Sequence, residues 1–421
     1  LKMPKNKDKL DKINIYFFSV LYASLLFGFG FDENLNLGSK PDWYGGNFPA
    51  IRDFSENFYK TFLNYDNYNH RHSPVYLIFL SFFSRAGIDF DVIRFLHLNI
   101  SIILIFLFYK CLTIKFKSAD KNILFLLSIS IFLSPTFRSL SIWPDSRIIG
   151  LIFFTLSVYE FLKFDQKKNI KYYYKTIFYL ILSSYISPNF SVFIIFYYFY
   201  FFNKLAIKHI YFSFLFCLAC SLPALYYLFI LEVNFLIAHT PGASLEKKVS
   251  LDFNFSNKVL IISSIILFHL SPFLINKKFF KEIIKFSKKN FIIVLIFLSL
   301  NIYFFDYLIA FTGGGIFFQI SNFIFNNNII FYFFSFLSLL VIFYFFRYNI
   351  YNVILYSILV LSNIQNTIYH KYYDPLIMII FFLMTAHFLP ERFISIKKNL
   401  VILYMFYFIF ILARIFKISF F

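Results

Sequence analysis

The stretch INIYFFSVLYASLLFGFGF at residues 13–31, followed directly by Asp32 and Glu33, decides how this chain folds. Its nineteen residues carry no charge, and an α-helix needs about 20 apolar residues to cross a bilayer. Five lysines precede the stretch and no small-residue cleavage site follows it. We therefore expect an uncleaved first membrane helix, with residues 1–12 as a cytoplasmic N-terminal segment.

The composition extends this expectation to the whole chain. Hydrophobic residues make up 60% of the sequence and charged residues only 14%, whereas soluble globular proteins carry about 25% charged residues. The net charge of +19 comes largely from lysines in short segments between apolar spans, which is the positive-inside pattern of membrane proteins. No nucleic-acid partner is therefore expected. The three cysteines, Cys111, Cys217 and Cys220, lack metal-ligand spacing and indicate neither zinc nor a disulfide framework.

The basic loops also fix the expected topology. Residues 74–86 form an apolar run of about 13 residues, too short to cross, and a crossing there would place every later basic loop outside. The sequence therefore predicts an all-α polytopic membrane protein with a single membrane domain over residues 1–421 and about 13 transmembrane helices. Eleven predicted spans have definite bounds and two more form a tight pair turning at residues 187–189; the eleven are 13–31, 95–112, 122–137, 148–163, 210–230, 259–275, 291–311, 329–346, 351–363, 376–390 and 400–416.

The first outside loop, residues 32–93, is the largest and is expected to carry surface helices at about 47–64 and 74–86. The inside loops are mostly lysine, whereas the outside loops hold varied polar side chains. A site that faces the periplasm or an organelle lumen follows from this separation. The polar residues of the outside loops are Asp32, Glu33, Asp42, Trp43, Asp53, Glu56, His70, Arg71, His72, Trp143, Asp145, Arg147, His370, Lys371, Tyr372, Tyr373 and Asp374.

Three acids in the first loop are candidates for catalysis. Asp32 and Glu33 are adjacent carboxylates at the mouth of a membrane helix, where charge is costly if it only supports the fold. Asp42 is a third candidate in the same loop. The alternatives are a solvated acidic pair at a helix end for Asp32 and Glu33, and an ordinary amphipathic surface segment for Asp42.

Two further groups have both a functional and a structural interpretation. His70, Arg71 and His72 suit metal binding, but they also suit a cap that starts the surface helix. Lys371 can snorkel at the end of a span, or it can offer a cation to a lipid phosphate positioned with Tyr372. Three glycines at 313–315 lack the lysine and hydroxyl residue of a phosphate loop and predict a flexible turn outside the membrane.

The order of these features resembles the GT-C superfamily of glycosyltransferases, which includes the aminoarabinose transferases of bacterial lipid A and the protein O-mannosyltransferases. The likeness is best over residues 10–165 and returns near 370–390. It rests on the first helix, the acidic pair and the outside loop, together with His72-Ser73-Pro74, Gly87, Arg94, Ser134-Pro135, Arg147 and the segment from Lys371 to Pro375.

Two positions depart from the pattern of that superfamily. Ser73 stands where a proline is usual, and Lys371 stands where an arginine is usual. Since lysine lacks the planar fork of arginine, it cannot make bidentate contacts to a phosphate.

The resemblance implies inverting transfer of a sugar from a polyprenyl-phosphate donor to a lipid, glycan or protein acceptor at the periplasmic face of a bacterial inner membrane. Asp32 would then be the general base, and Glu33 would orient the acceptor or a cation. His72 and Tyr372 would belong to the substrate-binding residues, with Arg94, Arg147 and Lys371 on the departing phosphate. The resemblance leaves a divalent cation open. A polysaccharide polymerase of the O-antigen type and a lipid or sugar transporter are the alternatives.

Overall fold

A computed structural model of the protein describes residues 11–68, 72–237, 252–308 and 313–420. Helices account for most of these residues, and no β-strand occurs among them, so the predicted all-α class is confirmed. Nearly all of the predicted cytoplasmic segment 1–12, together with His70 and Arg71, lies outside the described residues.

The described residues form 21 α-helices. In chain order they are α1 (Lys12–Gly30), α2 (Ser39–Asp42), α3 (Phe48–Glu56), α4 (Phe58–Leu63), α5 (Pro74–Arg85), α6 (Phe90–Ser101), α7 (Ile103–Lys115), α8 (Lys121–Ile129), α9 (Pro135–Ile142), α10 (Ser146–Lys167), α11 (Ile170–Ile186), α12 (Ile194–Phe202), α13 (Ile207–Leu225), α14 (Phe255–Leu274), α15 (Lys277–Tyr303), α16 (Gly315–Phe325), α17 (Ile329–Phe346), α18 (Ile350–Leu361), α19 (Leu376–Leu383), α20 (Leu389–Ile394) and α21 (Lys398–Phe420).

Six helical segments within the described ranges are long and apolar enough to cross a membrane, and a seventh is added if the bent pair α8 and α9 is one span. These segments are compatible with a multi-pass membrane protein, but they do not confirm about 13 crossings. Several predicted spans coincide with short helices, such as α19, whose 8 residues extend only about 12 Å at 1.5 Å per residue. The six are Lys12–Gly30, Phe90–Lys115, Ile207–Ile230, Phe255–Leu274, Ile329–Phe346 and Lys398–Ile418.

The stretch 32–93, predicted as the first outside loop, folds into the helices that the sequence predicts there. Helices α3 and α4 replace the single segment expected at about 47–64, and α5 matches the apolar run at 74–86. The chain starts α5 at Pro74, with the Ser73 hydroxyl accepting a hydrogen bond from the Val75 amide, since proline suits a first helical turn and serine suits a cap. That α5 lies along the membrane surface stays a prediction.

Helix α16 lies where the sequence predicts an outside loop. Eight of its 11 residues are apolar or glycine, but 11 residues are too few to span a bilayer, so hydrophobic length does not identify this helix. The turn before it is fixed by a close approach, because a Cβ on Gly313 would lie 2.3 Å from the carbonyl oxygen of Ile368. The expected flexible turn is therefore a closely packed one that needs glycine.

The chain divides into two compact units. The first contains Leu1–Ser191, Phe212–Ala238 and Glu391–Phe421, and its core includes α10 packed against α7 and α11. The second contains Val192–Tyr211 and His239–Pro390, and its core includes α14 packed against α17. The predicted single membrane domain stays a prediction.

Candidate functional site

The predicted acidic pair lies in a tight turn at the end of α1. Asp32 has a φ of 53°, in the left-handed region, which aspartate tolerates better than most residues. The Glu33 amide donates a 2.8 Å hydrogen bond back to the Gly28 carbonyl. Because the chain reverses here, the two neighbouring carboxylates reach different cations.

Glu33 is held by an arginine that lies more than a hundred positions further along the chain. The Arg138 guanidinium donates from Nε and Nη2 to the two carboxylate oxygens of Glu33, both at 2.6 Å. It also donates to the hydroxyl and the carbonyl of Ser24 on α1. Such bidentate, charge-assisted contacts are the strongest kind of ion pair in proteins. This pair therefore fastens α9 to the end of α1.

The pair occupies space that the absence of a side chain at Gly28 provides. A Cβ at Gly28 would lie 2.6 Å from Glu33 Oε2 and 3.0 Å from Arg138 Nη2. These distances are too short for van der Waals contact, so one of the charged groups would have to move. Gly28 is thus part of the construction of this ion pair.

Asp32 contacts two other cations. Arg94 Nη2 donates to Asp32 Oδ1 at 2.8 Å, and Lys40 Nζ donates to Oδ2 at 3.1 Å. Burial opposes ionisation of Asp32, but the hydrogen bonds from Arg94 and Lys40 outweigh it and lower the pKa of the carboxyl from its ordinary value. The Asp32 side chain keeps 42% of its surface exposed. It is therefore an ionised carboxylate that a substrate can still reach.

Arg94 is buried and fixed from several directions. Its Nη1 donates to Asp91 at 2.8 Å, and its guanidinium lies 3.9 Å from the centre of the Trp143 ring and 5.0 Å from that of Phe29. The Trp143 indole in turn donates to the Glu33 carbonyl at 2.9 Å. Cation–π stacking of this kind holds arginine in one orientation. Asp32, Arg94 and Trp143 therefore form one rigid polar wall.

A second cluster contains Asp145, which follows Trp143 by two residues. Asp42, His72 and Asp145 each offer a ligand atom, and these atoms all lie within 4.8 Å of one another. Carboxylate oxygen and imidazole nitrogen are the ligand types of Mn²⁺ and Zn²⁺ sites. Asp42 and His72, predicted as catalytic and substrate-binding residues, are thus brought together with Asp145. These three residues could hold a divalent cation.

Local structure holds the cluster in place. Asp145 is buried and caps α10, accepting the Arg147 amide at 2.8 Å. His72 Nδ1 lies 3.1 Å from the Ser146 hydroxyl and 3.7 Å from Asp145 Oδ1. The Asn47 amide donates at 3.0 Å to the carbonyl of Pro144, next to Asp145. The start of α10 and the first outside loop are therefore joined at this point.

The remaining predicted residues differ in where they lie. Arg147 is buried in the first turn of α10, two residues after Asp145. Lys371 and Tyr372 belong to the second compact unit. There the Lys371 ammonium lies 5.8 Å from the Tyr369 ring centre, and the Tyr372 hydroxyl donates to Gln365 at 3.4 Å. They form a local cluster of their own.

Three residues of the site escaped the prediction of functional residues. Arg138, Lys40 and Asp145 supply the partners of Glu33 and Asp32 and the buried member of the cluster. Asp145 could have been identified from the sequence, because it is an acid in a predicted outside loop, two residues after Trp143. Arg138 also follows the Ser134-Pro135 helix start within four residues. Nothing in the sequence around Lys40 distinguishes it from the other lysines.

Comparison with protein-family models, with curated proteins and with solved structures finds no match to this chain. The function is therefore inferred from the chemistry of the residues themselves, which are Asp32, Arg94 and the cluster of Asp42, His72 and Asp145.

Proposed function

We propose that this protein is a membrane glycosyltransferase that moves a sugar from a polyprenyl-phosphate donor to a lipid, glycan or protein acceptor. The observation that carries the proposal is the partly exposed Asp32 carboxylate, held by Arg94 and Lys40 in the same compact unit as a cluster of Asp42, His72 and Asp145. Inverting sugar transfer needs a base for the acceptor and positive charge for a departing phosphate.

In the proposed reaction an acceptor hydroxyl oxygen attacks the anomeric carbon of the donor. A new carbon–oxygen bond forms as the bond to the phosphate oxygen breaks, the hydroxyl proton passes to Asp32, and polyprenyl phosphate departs. Asp32 suits this role better than Glu33, since it is 42% exposed and one of its oxygens is held only by the exposed Lys40, whereas Glu33 is 20% exposed and both of its oxygens are held by the buried Arg138.

The departing phosphate needs positive charge, and we assign part of it to a divalent cation on Asp42, His72 and Asp145. When bound, such an ion would neutralise charge that develops on the phosphate oxygens. Lys40 is a second candidate, because its ammonium is 40% exposed and can turn from Asp32 towards a phosphate. Arg94 is already fixed by Asp32, Asp91 and Trp143, so its proposed part is to hold Asp32 in position.

The proposal also includes the topology of about 13 crossings in a bacterial inner membrane, with the first loop on the periplasmic side. It is supported by the separation of lysine-rich loops from loops with mixed polar residues. A site on that side would meet lipid-linked sugars rather than soluble nucleotide sugars.

The test replaces Asp32 by Asn and measures sugar transfer from synthetic undecaprenyl-phosphate hexoses and aminoarabinose in membranes. We expect a loss of roughly 10²–10⁴-fold, the usual contribution of a general base. The matched control is Asp91→Asn, which removes the other carboxylate on Arg94 from a side chain that is 75% exposed. Full activity of the Asp32 variant contradicts the role of base, and absence of transfer by the unaltered protein favours the transporter.

A further inference from the structure

Helix α15 changes character halfway along its length. It runs over 27 residues, Lys277–Tyr303, which is about 40 Å at 1.5 Å per residue. All six of its lysines lie between positions 277 and 289, and residues 290–303 contain no charged side chain. The first half of the helix is therefore basic and the second half is apolar.

The six lysines share one face of the helix. At 100° per residue their directions fall within an arc of about 120°, and all six side chains are exposed. We call this surface the lysine face, and its members are Lys277, Lys278, Lys281, Lys285, Lys288 and Lys289.

Another side of the same turns packs against α17. Phe279 is buried, with its ring centre 5.5 Å from that of Tyr344. Glu282 accepts hydrogen bonds from the hydroxyls of Tyr344 at 2.5 Å and Tyr348 at 2.8 Å. Helix α15 is thus fixed in rotation by α17, which leaves the lysine face directed away from it.

The charge of the lysine face is hardly compensated within the protein. Residues 277–289 hold six lysines and one glutamate, a net charge of +5. Among the described residues, the ion pair recorded for these lysines is that of Lys278 with Glu282 at 3.8 Å. Lysines three or four positions apart on one helix repel each other. An external array of anions would relieve this repulsion.

The second half of α15 indicates which array that is. Large apolar side chains there, including Ile292, Ile293 and Ile296, are exposed, and a lipid environment would cover them. Phe280 and Ile284 continue an exposed apolar strip beside the lysines. The same helix therefore passes from an apolar environment to a charged one in which lipid phosphates lie.

We propose that the lysine face binds the phosphate groups of anionic phospholipids in the leaflet where α15 leaves the hydrocarbon core. The lysine ammonium groups contact the phosphodiesters, and Phe280 and Ile284 lie against the adjoining acyl chains. Basic segments next to a membrane helix gain affinity for anionic lipid with each lysine. The proposal does not depend on the proposed sugar transfer.

The test exposes the full-length purified protein in detergent to an equimolar mixture of phosphatidylglycerol and phosphatidylcholine and counts bound lipids by native mass spectrometry. We expect the unaltered protein to prefer phosphatidylglycerol by roughly fivefold or more. The triple change Lys281→Gln, Lys285→Gln and Lys288→Gln should bring the ratio close to one. Since attraction between charges is screened by ions, added salt should lower the preference of the unaltered protein.

Two controls separate charge at this face from charge in general. Changing the same three lysines to Arg should keep the preference. Changing Lys167, Lys168 and Lys171 to Gln removes the same charge from another exposed stretch and should also keep it. A preference that survives the α15 glutamine changes, or that the control changes abolish equally, overturns the proposal.

Discussion

Asp32 and Glu33 are adjacent in the chain, but they contact different side chains and therefore have different roles. Glu33 has both oxygens engaged by Arg138 and supports the connection between α1 and α9. Asp32 keeps an exposed edge beside Lys40. The left-handed turn at Asp32 causes this division, because it directs consecutive side chains to opposite partners. Of these two carboxylates, Asp32 is therefore the one that is both charged and accessible to a substrate.

We predict that Arg138→Ala destabilises the protein by about 2–3 kcal/mol, since it leaves the Glu33 carboxylate without its charged hydrogen bonds. Thermal unfolding in detergent measures the effect. The control is Arg52→Ala, which removes an exposed pair with Asp53 and should cost at most about 1 kcal/mol. Equal losses in the two variants would show that the Glu33 pair has no special weight.

The lowered pKa of Asp32 gives a pH prediction. A carboxyl whose pKa is lowered by folding, as that of Asp32 is, adds stability above its unfolded pKa and loses it as the pH falls through the folded value. The difference in stability between the unaltered protein and Asp32→Asn should therefore be constant from pH 7 to about 5 and shrink below about 4. Unfolding curves across this range measure it. A difference that disappears between pH 6 and 7 would contradict the ion pairs of Asp32.

At the scale of elements, the three-residue connection between α9 and α10 carries much of the site. Trp143 ends α9 and stacks on Arg94, Pro144 accepts from Asn47, and Asp145 starts α10. Helix α9 itself begins at Ser134 and Pro135, with the serine hydroxyl accepting from Phe137. Because both helix ends are fixed by side chains, this connection is a rigid support rather than a free loop.

Asp145 caps α10 and belongs to the cluster, and substitution can separate these roles. We predict that Asp145→Ser keeps the stability, since serine caps helices as well as aspartate, but weakens Mn²⁺ binding at least tenfold because a carboxylate is lost. Asp145→Ala should in addition lose about 1 kcal/mol of stability. Electron paramagnetic resonance titration with Mn²⁺ and thermal unfolding give the two readouts. Unchanged Mn²⁺ binding in both variants would exclude Asp145 as a ligand.

At the scale of the whole molecule, the number of membrane crossings is a prediction that the structure supports only in part. Six described segments meet the length and apolarity of a span, while the basic loops predict about 13. Short helices such as α18 and α19 can complete a crossing only together with neighbouring chain, because 12 and 8 residues are shorter than the hydrocarbon core.

Labelling of single cysteines tests this topology. We predict that Ser55→Cys, in a variant without the three native cysteines, reacts with an impermeant maleimide from the periplasmic side. Lys281→Cys and Lys398→Cys should react only after the membrane is opened. Lys281 and Lys398 are exposed and Ser55 is half-buried, so a lack of reaction at the two lysine positions reports sidedness rather than burial. Reaction of Lys281→Cys in intact cells would contradict the predicted alternation.

Particular residues show how much of the structure could be predicted from the sequence. The charge-free stretch at 13–31 became α1, and Ser73 and Pro74 became the start of α5, because apolar length and capping chemistry are local properties. Helix α16 was missed, since its 11 residues are too few for a span. Asp32, Asp42 and His72 were predicted in one loop, and the structure brings Asp32 to Arg94 and Asp42 to His72, while their roles stay predictions.

The sequence by itself determined the all-α class, the apolar helices and the acids worth testing, because composition, hydrophobic length and helix caps act over a few residues. Only the tertiary structure decided that Arg138 forms an ion pair with Glu33 and that Arg94 and Lys40 form ion pairs with Asp32. It also decided that Asp145 lies close to Asp42 and His72. These partners lie up to about a hundred positions apart, and any arginine or lysine has the same charge in a sequence. Helix packing, with the space left at Gly28, selects among them.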